Sequence, residues 1–275
     1  MSSLTHLSHS VARLSVPLSA GLLLGLTSFS VSADTLISNT YALDYELPKK
    51  VQDSCLEKDN CPDIDVRYIQ TNQDWVDDIV NARVNNIAIN SKPSEDAPSE
   101  RSDKNSVKTA IDDFAQAQFV NMPEGSSWGY QLMVTPRYIG HIAPQSSPDL
   151  ELFEIDSYVF TGGAHGMPYS EYLILDPSTK TKVTLDDMLI SGKKPQFKAQ
   201  AYKAYQTWVK SVDDDVKSYE KNWPFVLSDN ITLTDKGVDI RYQHYAIGPY
   251  AYGMPVLSIP YASLKGVFKP KFILE

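Results

Sequence analysis

A short glycine-rich turn between two strand-like runs constrains the fold of this chain most. Residues 150–160 and 171–175 are rich in β-branched, aliphatic and aromatic side chains, and TGGAHG at 161–166 separates them. Glycine adopts positive φ, or lets another group approach closely, at little cost. The three glycines therefore predict a tight bend that joins two antiparallel strands.

Helical and strand patterns alternate along the rest of the sequence. Apolar residues recur at helical spacing from about Gln73 to Ile89, after Val107, and from Phe197 to Trp208. Period-two alternation from Trp128 to Val134 predicts a strand with one buried face. The sequence thus predicts an α+β fold, a mainly antiparallel sheet with several amphipathic helices packed on it.

Several shorter segments carry definite expectations. ITLTDKGVDIRY predicts a hairpin in which Asp235-Lys236-Gly237 supplies the turn and a residue with positive φ. Thr184 with Asp187 resembles a capping box that starts a helix at Leu185. Residues 34–53 are interpreted as a polar lead-in, residues 91–106 as a loop, and a short terminal helix is expected around Leu264.

The first 33 residues have the pattern of a secretory signal. Arg13 is their only charged side chain, an apolar run extends from Leu14 to Leu26, and Val31-Ser32-Ala33 supplies the small residues of a cleavage site. The run is shorter than the roughly 20 residues that a membrane-spanning helix needs. We expect cleavage near Ala33, no membrane span in the mature chain, and a periplasmic or secreted protein.

The two cysteines, Cys55 and Cys61, have five residues between them in DSCLEKDNCPD. In an oxidising compartment such a pair predicts a local disulfide, while free thiols and a metal or redox role remain alternatives. A loop of this size restricts little chain entropy, so the bond would fix a local turn.

The chain is acidic, which restricts its partners. Its formal charge is −9 at pH 7, and loss of Arg13 with the signal makes the mature chain one unit more negative. A negative surface repels nucleic acid and anionic lipid, and it attracts a cationic protein or a cationic glycan.

No sequence motif indicates a cofactor or a metal. TGGAHG is followed by Pro168 and a strand pattern where a phosphate loop would need a helix. His141, His165 and His244 are the histidines of the mature chain, and their spacing does not support a zinc site. Ser191-Gly192-Lys193-Lys194 and Ser228-Asp229-Asn230 fit two elements of penicillin-binding enzymes, but the K-T-G element is absent.

Two groups of residues are candidates for binding. YQHYAIGPYAYGMP carries Tyr245, Tyr250 and Tyr252, which would either stack against a sugar or protein partner or cover the core. His165 would pin the turn through hydrogen bonds, contribute to recognition, or act as an acid or base. The residues expected to be structural in the turn are Thr161, Gly162, Gly163, Ala164 and Gly166.

Two blocks resemble the RsiV-like extracellular domain family. They are YVFTGGAHGMPYSEYLILDPSTKTKVTLDDML from Tyr158 and TLTDKGVDIRYQHYAIGPYAYGMPVLSIPYASL from Thr232. This domain occurs in lysozyme-responsive anti-sigma factors and in PdaC-type peptidoglycan deacetylases. The resemblance implies a partner region over residues 34–157, of the deacetylase-associated type, and an RsiV-like domain over 158–275, which together form one α+β unit.

The resemblance implies work at the cell envelope. The sigma-binding segment, the transmembrane helix and the catalytic barrel of those proteins are not recognisable in this sequence. We therefore expect an exported, non-enzymatic protein that binds lysozyme, as a cationic protein, or peptidoglycan. The alternative is a cell-wall hydrolase that uses His165 as acid or base, and the position of a carboxylate or serine near His165 would discriminate between them.

Overall fold

A computed structural model describes residues 35–91, 97–123, 125–144 and 149–274 of the chain. The expected signal sequence, residues 1–33 with its cleavage site near Ala33, lies outside the described residues. Within these ranges, no helix has both the length and the apolar character needed to cross a bilayer.

The larger sheet has six strands arranged in the order of the chain. They are β1 (Ser38–Ala42), β2 (Asp63–Thr71), β3 (Gln131–Ile142), β4 (Leu150–Phe160), β5 (Met167–Asp176) and β6 (Thr181–Val183). Neighbours are antiparallel except β2 and β3, which are parallel. A parallel pair needs a long crossover, and two helices, α2 (Asp74–Asn90) and α3 (Lys104–Asn121), lie in that connection.

A second sheet of three antiparallel strands lies near the C-terminal end of the chain. It consists of β7 (Ile231–Leu233), β8 (Gly237–Arg241) and β9 (Val256–Pro260). The remaining helices are α1 (Lys49–Lys58), α4 (Leu185–Met188), α5 (Lys194–Val212) and α6 (Val216–Asn222), with 3₁₀ turns at Tyr250–Tyr252, Tyr261–Ser263 and Pro270–Phe272.

The two faces of the larger sheet contribute to two apolar cores. Phe153 and Leu173 belong to the core that includes residues of α2 and α3, whereas their neighbours Leu152 and Ile174 belong to the core that includes α5 and the second sheet. Successive side chains of a strand point to opposite faces, so β4 and β5 are covered on both sides. This explains why apolar side chains occupy consecutive positions, as at Leu152-Phe153 and Leu173-Ile174-Leu175.

The predicted fold class is confirmed, because the sheets are mainly antiparallel and helices pack on them. The capping box is present, with Thr184 and Asp187 bonded reciprocally at the start of α4. The expected polar lead-in instead contains β1 and the first residues of α1. The expected terminal helix is only the 3₁₀ turn Tyr261–Ser263, because the chain then forms isolated bridges around Phe268.

One glycine has a different role from the predicted one. Gly237 is not among the residues with positive φ, so the prediction about the β7–β8 turn is wrong at this position. A Cβ at Gly237 would instead lie 2.1 Å from the carbonyl oxygen of Ile259 in β9. Glycine is needed here because β8 and β9 approach closely.

Leu36–Glu275 form one compact unit. The boundary that the resemblance implies, between residues 157 and 158, falls within β4, and the division into two regions stays a prediction. The predicted disulfide joins Cys55, within α1, to Cys61, with the two Cα atoms 4.8 Å apart.

Candidate functional site

The TGGAHG turn connects β4 to β5, and its glycines meet different requirements. Gly162 and Gly163 have φ values of +102° and +92°, which side chains with a Cβ rarely adopt. At Gly166 the requirement is space, since a Cβ would lie 2.3 Å from Cζ of Tyr158. The ring of Tyr158 therefore packs directly on the backbone of the turn.

The tyrosine-rich segment after β8 returns to this turn and forms an aromatic stack with it. The ring of Tyr250 stacks on His165 at a centroid distance of 3.7 Å and an interplanar angle of 18°. It also stacks on His244 at 4.3 Å and 24°. Two imidazoles cannot overlap the same face at these distances, so the phenol ring lies between them. We call His165, His244, Tyr245 and Tyr250 the aromatic cluster.

Hydrogen bonds fix the orientation of His165. Its Nδ1 lies 3.0 Å from the carbonyl oxygen of Gly166, and because a carbonyl only accepts, Nδ1 carries the proton. Nε2 is then the acceptor, and the hydroxyl of Tyr245 lies 3.4 Å from it. The hydroxyl of Tyr250 donates to the same Gly166 carbonyl at 3.0 Å. His165 is thus held between backbone and phenol groups.

The outer surface of the cluster is exposed. His165 is exposed, and Tyr245 is 46% exposed. Tyr245 also has φ of +65°, an uncommon backbone conformation for an aromatic residue that costs on the order of 1 kcal/mol. Tyr250 has both ring faces covered by imidazoles, so it supports the surface. The groups available to a partner are His165 and Tyr245.

Tyr252 lies apart from the cluster. Its ring packs edge-on against Trp208 of α5, with centroids 6.1 Å apart, and its hydroxyl lies 3.4 Å from the carbonyl oxygen of Val212. Of the four predicted binding residues, the structure brings together His165, Tyr245 and Tyr250, and their part in binding stays a prediction.

Two side-chain amides hold the free edge of β5 next to the cluster. Asn230 accepts from the backbone N–H of Tyr172 at 2.8 Å and donates to the carbonyl oxygen of Ser170 at 2.7 Å. Gln243 accepts from the N–H of Ser170 and donates to the same carbonyl. Because Gln243 directly precedes His244, these bonds position the tyrosine segment against β5.

A groove of about 590 Å³ adjoins the cluster. Its lining comes from α2 and Ser91, from residues 98–100, from the ends of β4 and β5 beside the turn, and from Gln243 and His244. Val159 and Met167, which are paired across β4 and β5, lie in its floor. Met167 is 44% exposed, so an apolar contact surface is open to solvent beside the aromatic cluster.

Two buried carboxylates, one on each face of the larger sheet, form ion pairs near the cluster and the groove. Glu171 pairs with Arg83 of α2 at 2.6 Å and with Lys182 of β6 at 3.3 Å. Burial alone would raise the pKa of Glu171, but the hydrogen bond and charge of Arg83 hold that pKa below its ordinary value. On the other face of the sheet, Glu154 pairs with Arg241 and Arg137.

The structure does not bring the three histidines together. His141 pairs with Glu151 at the end of the β3–β4 hairpin opposite to the TGGAHG turn, about 30 Å along the strand. Among the described residues, no group of three His, Cys, Asp or Glu side chains is placed to hold a metal ion. Ser228 bonds to the backbone carbonyl of Arg241, which gives it a structural partner.

The fold and the cluster together define an α+β protein with an exposed aromatic surface at one end of the β4–β5 hairpin.

Residues 176–262 match the model of DUF3298, a family described as proteins of unknown function. The matched segment includes His244, Tyr245, Tyr250 and Tyr252 but begins after the TGGAHG turn. No curated protein matches this chain significantly.

Two solved structures are similar to this chain. One is a DUF3298 family protein from Pseudomonas aeruginosa PAO1, with 23% identity and a TM-score of 0.59, covering 87% of this chain and 95% of that one. The other is a DUF3298 family member from Bacteroides fragilis NCTC 9343, with 16% identity and a TM-score of 0.56, covering 85% and 94%. At these identities the likeness shows a shared fold alone.

Sequence reasoning missed several residues of this region. His244 was recognised only as a histidine without metal spacing, and nothing in its neighbourhood predicts a stack on Tyr250. Met167 and the α2 residues of the groove read as ordinary strand and helix positions. The one sequence feature that points to His244 as part of the surface is its position next to Tyr245 in the tyrosine segment.

Proposed function

We propose that this chain is an exported, non-enzymatic cell-envelope protein that binds the glycan of peptidoglycan through His165 and Tyr245. The proposal rests on one observation: the ring of Tyr250 stacks on His165 of the TGGAHG turn and on His244 of the tyrosine segment, so that the two regions form one surface. Aromatic rings bind sugars and other amphipathic surfaces well, because each ring offers rigid apolar area beside a polar group.

Export and envelope function have separate support. The Cys55–Cys61 disulfide fits an oxidising compartment. The resemblance to RsiV-like domains is compatible with the DUF3298 match, and it suggests a setting at the cell wall. The exposed phenol of Tyr245 places a hydroxyl beside an apolar ring face, which suits a hydroxyl-rich ligand.

The bonding of His165 argues against a hydrolase. A nucleophile or an orienting carboxylate within hydrogen-bond reach of His165 would favour a role as acid or base. The bonds of His165 go to the Gly166 carbonyl and the Tyr245 phenol. These partners hold the ring in place and do not provide a nucleophile.

A cationic protein of the lysozyme kind is the second candidate, and the formal charge of −9 favours it. Charge-driven capture would weaken as salt rises, because surface charges are screened over about 8 Å at physiological ionic strength. Stacking on a neutral glycan would change little under the same conditions.

Both candidates are tested by co-sedimentation with purified peptidoglycan and by capture of lysozyme across a salt series. The variants Tyr245→Ala and His165→Ala are compared with Tyr252→Ala, a matched control because Tyr252 is 41% exposed but lies apart from the cluster. We expect salt-insensitive sedimentation that the first two variants reduce about tenfold. Equal loss in all three variants, or capture of lysozyme alone, would contradict the proposal.

A further inference from the structure

The groove beside the aromatic cluster has a composition that restricts what it can bind. The apolar residues of its lining include Val159 and Met167, which are paired across β4 and β5, together with Pro168 and Ile87 of α2. Arg83, Asn86 and Gln243 stand along its sides. A volume of about 590 Å³ lies within the range of small-molecule sites.

The amide side chains of Asn86 and Gln243 in the groove are already bonded within the protein, whereas Nδ1 of His244 is buried with no hydrogen-bond partner among the described residues. Asn86 donates to the carbonyl oxygens of Ser99 and Arg101 at 2.7 and 2.9 Å. Gln243 is bonded to both backbone groups of Ser170. These amides have little bonding capacity left for a ligand, so this part of the groove offers apolar contact and the remaining lone pairs of carbonyl oxygens at the rim.

The charges around the groove favour a neutral ligand. Arg83 lines the groove and is neutralised by Glu171, which also pairs with Lys182. Glu100, an exposed residue, is the acidic side chain of the lining. An ammonium group in the groove would have only this exposed carboxylate as a partner, and an exposed ion pair contributes little. Moving the ammonium group out of water is therefore poorly compensated.

The groove is continuous with the aromatic cluster. His244 belongs to both, since it stacks on Tyr250 and lines the groove. Met167 follows directly after the turn residues His165 and Gly166. A ligand that stacks on the cluster can therefore extend a neighbouring group over the methionine.

We propose that this groove is a subsite for the N-acetyl group of an amino sugar, so that the protein selects acetylated over deacetylated glycan. The acetamido group is uncharged and combines a methyl, which suits the apolar lining, with an amide N–H, which can donate to a carbonyl oxygen at the rim. This inference rests on the proposed glycan binding at His165 and Tyr245.

The test compares two tetrasaccharides of equal length in calorimetric titrations of the purified protein at physiological salt. They are the β-1,4 tetramer of N-acetylglucosamine and the corresponding tetramer of glucosamine. We expect the acetylated tetramer to bind at least about tenfold more tightly. Equal affinities, or tighter binding of the cationic tetramer to the acidic surface, overturn the selectivity.

Variants of the groove separate this inference from the proposed function. Met167→Trp places a bulky ring over the apolar lining, and Met167→Lys places a charge there with less bulk. Both should weaken binding of the acetylated tetramer about fivefold or more. The control Met133→Trp changes a methionine that is 36% exposed on the other face of the sheet, opposite Tyr158, and should bind normally.

The outcomes are distinguishable. If Tyr245→Ala reduces binding of the tetramer but both Met167 variants bind as the parent does, the subsite is wrong and the aromatic surface stands. If the parent protein binds neither tetramer nor intact peptidoglycan, the proposed function fails and the subsite fails with it.

Discussion

The imidazole of His165 stacks on the phenol ring of Tyr250 at 3.7 Å, joining the turn after β4 to a segment that follows β8. Through this contact, two regions that are distant in sequence become one surface. The stack is completed by His244 on the other ring face, so Tyr250 holds both histidines while Tyr245 and His165 face outward. Four predictions follow from the surrounding geometry.

The backbone strain at Tyr245 should be measurable. Asparagine tolerates positive φ, whereas β-branched valine does not. Both Tyr245→Asn and Tyr245→Val remove the ring, so the difference between their free energies of unfolding reflects the cost of a φ of +65°. We expect Tyr245→Val to be less stable than Tyr245→Asn by about 1 kcal/mol in urea denaturation. The same pair at Tyr252, which lacks positive φ, should show no such preference.

Gly166 should be energetically coupled to Tyr158. A Cβ at residue 166 would overlap the Tyr158 ring, so Gly166→Ala should lower the free energy of unfolding by about 1–3 kcal/mol. In a Tyr158→Ala background the clash is absent, and the same change should cost much less. A double-mutant cycle measured by urea denaturation reports this coupling. Additive effects would mean that the ring does not press on the turn.

The amide group of Asn230 should be required for the stability of the fold. Its nitrogen donates to the Ser170 carbonyl, and the isosteric change Asn230→Asp removes that donor. We expect a loss of about 1–3 kcal/mol in the free energy of unfolding at pH 7, because a carboxylate replaces the donor beside the carbonyl. Asp229→Asn, at the exposed neighbouring residue, is the control and should change stability little. Equal stability of the two variants would show that Asn230 does not hold the edge of β5.

Glu171 should make stability sensitive to acid. Its pKa in the folded protein lies below the ordinary value of 4.5, so the folded state binds this proton less readily than the unfolded state. The ion pair therefore stabilises the fold above about pH 4.5, and that contribution is lost as the pH falls through the lower folded-state pKa.

The matching experiment is urea denaturation of the parent and of Glu171→Gln from pH 7 to pH 3. Glu171→Gln should be less stable at pH 7, because Arg83 loses its charged partner, and its stability should fall less steeply in acid. Asp186→Asn is the control, since the Lys194–Asp186 pair is exposed and exposed pairs contribute little. Parallel pH profiles for the parent and Glu171→Gln would refute the assignment.

Much of the architecture was determined by the sequence itself. Period-two and helical spacing of apolar residues predict the strands and helices, because burial of one face requires that spacing. The glycines of TGGAHG predict a tight turn, since only glycine adopts its backbone angles cheaply. The predictions failed where the local signal was weak, as at β1, a five-residue edge strand with mostly exposed side chains.

Only the tertiary structure decided which residues share a surface. The spacing of apolar residues along the chain does not predict that His165 stacks on Tyr250. This contact depends on how Asn230, just before β7, and Gln243, after β8, hold the second sheet and the tyrosine segment against β5. The same packing separates Tyr252 from Tyr245, although both lie in one tyrosine-rich segment. It also decided that Gly166 and Gly237 are required by neighbouring atoms and not by their own backbone angles.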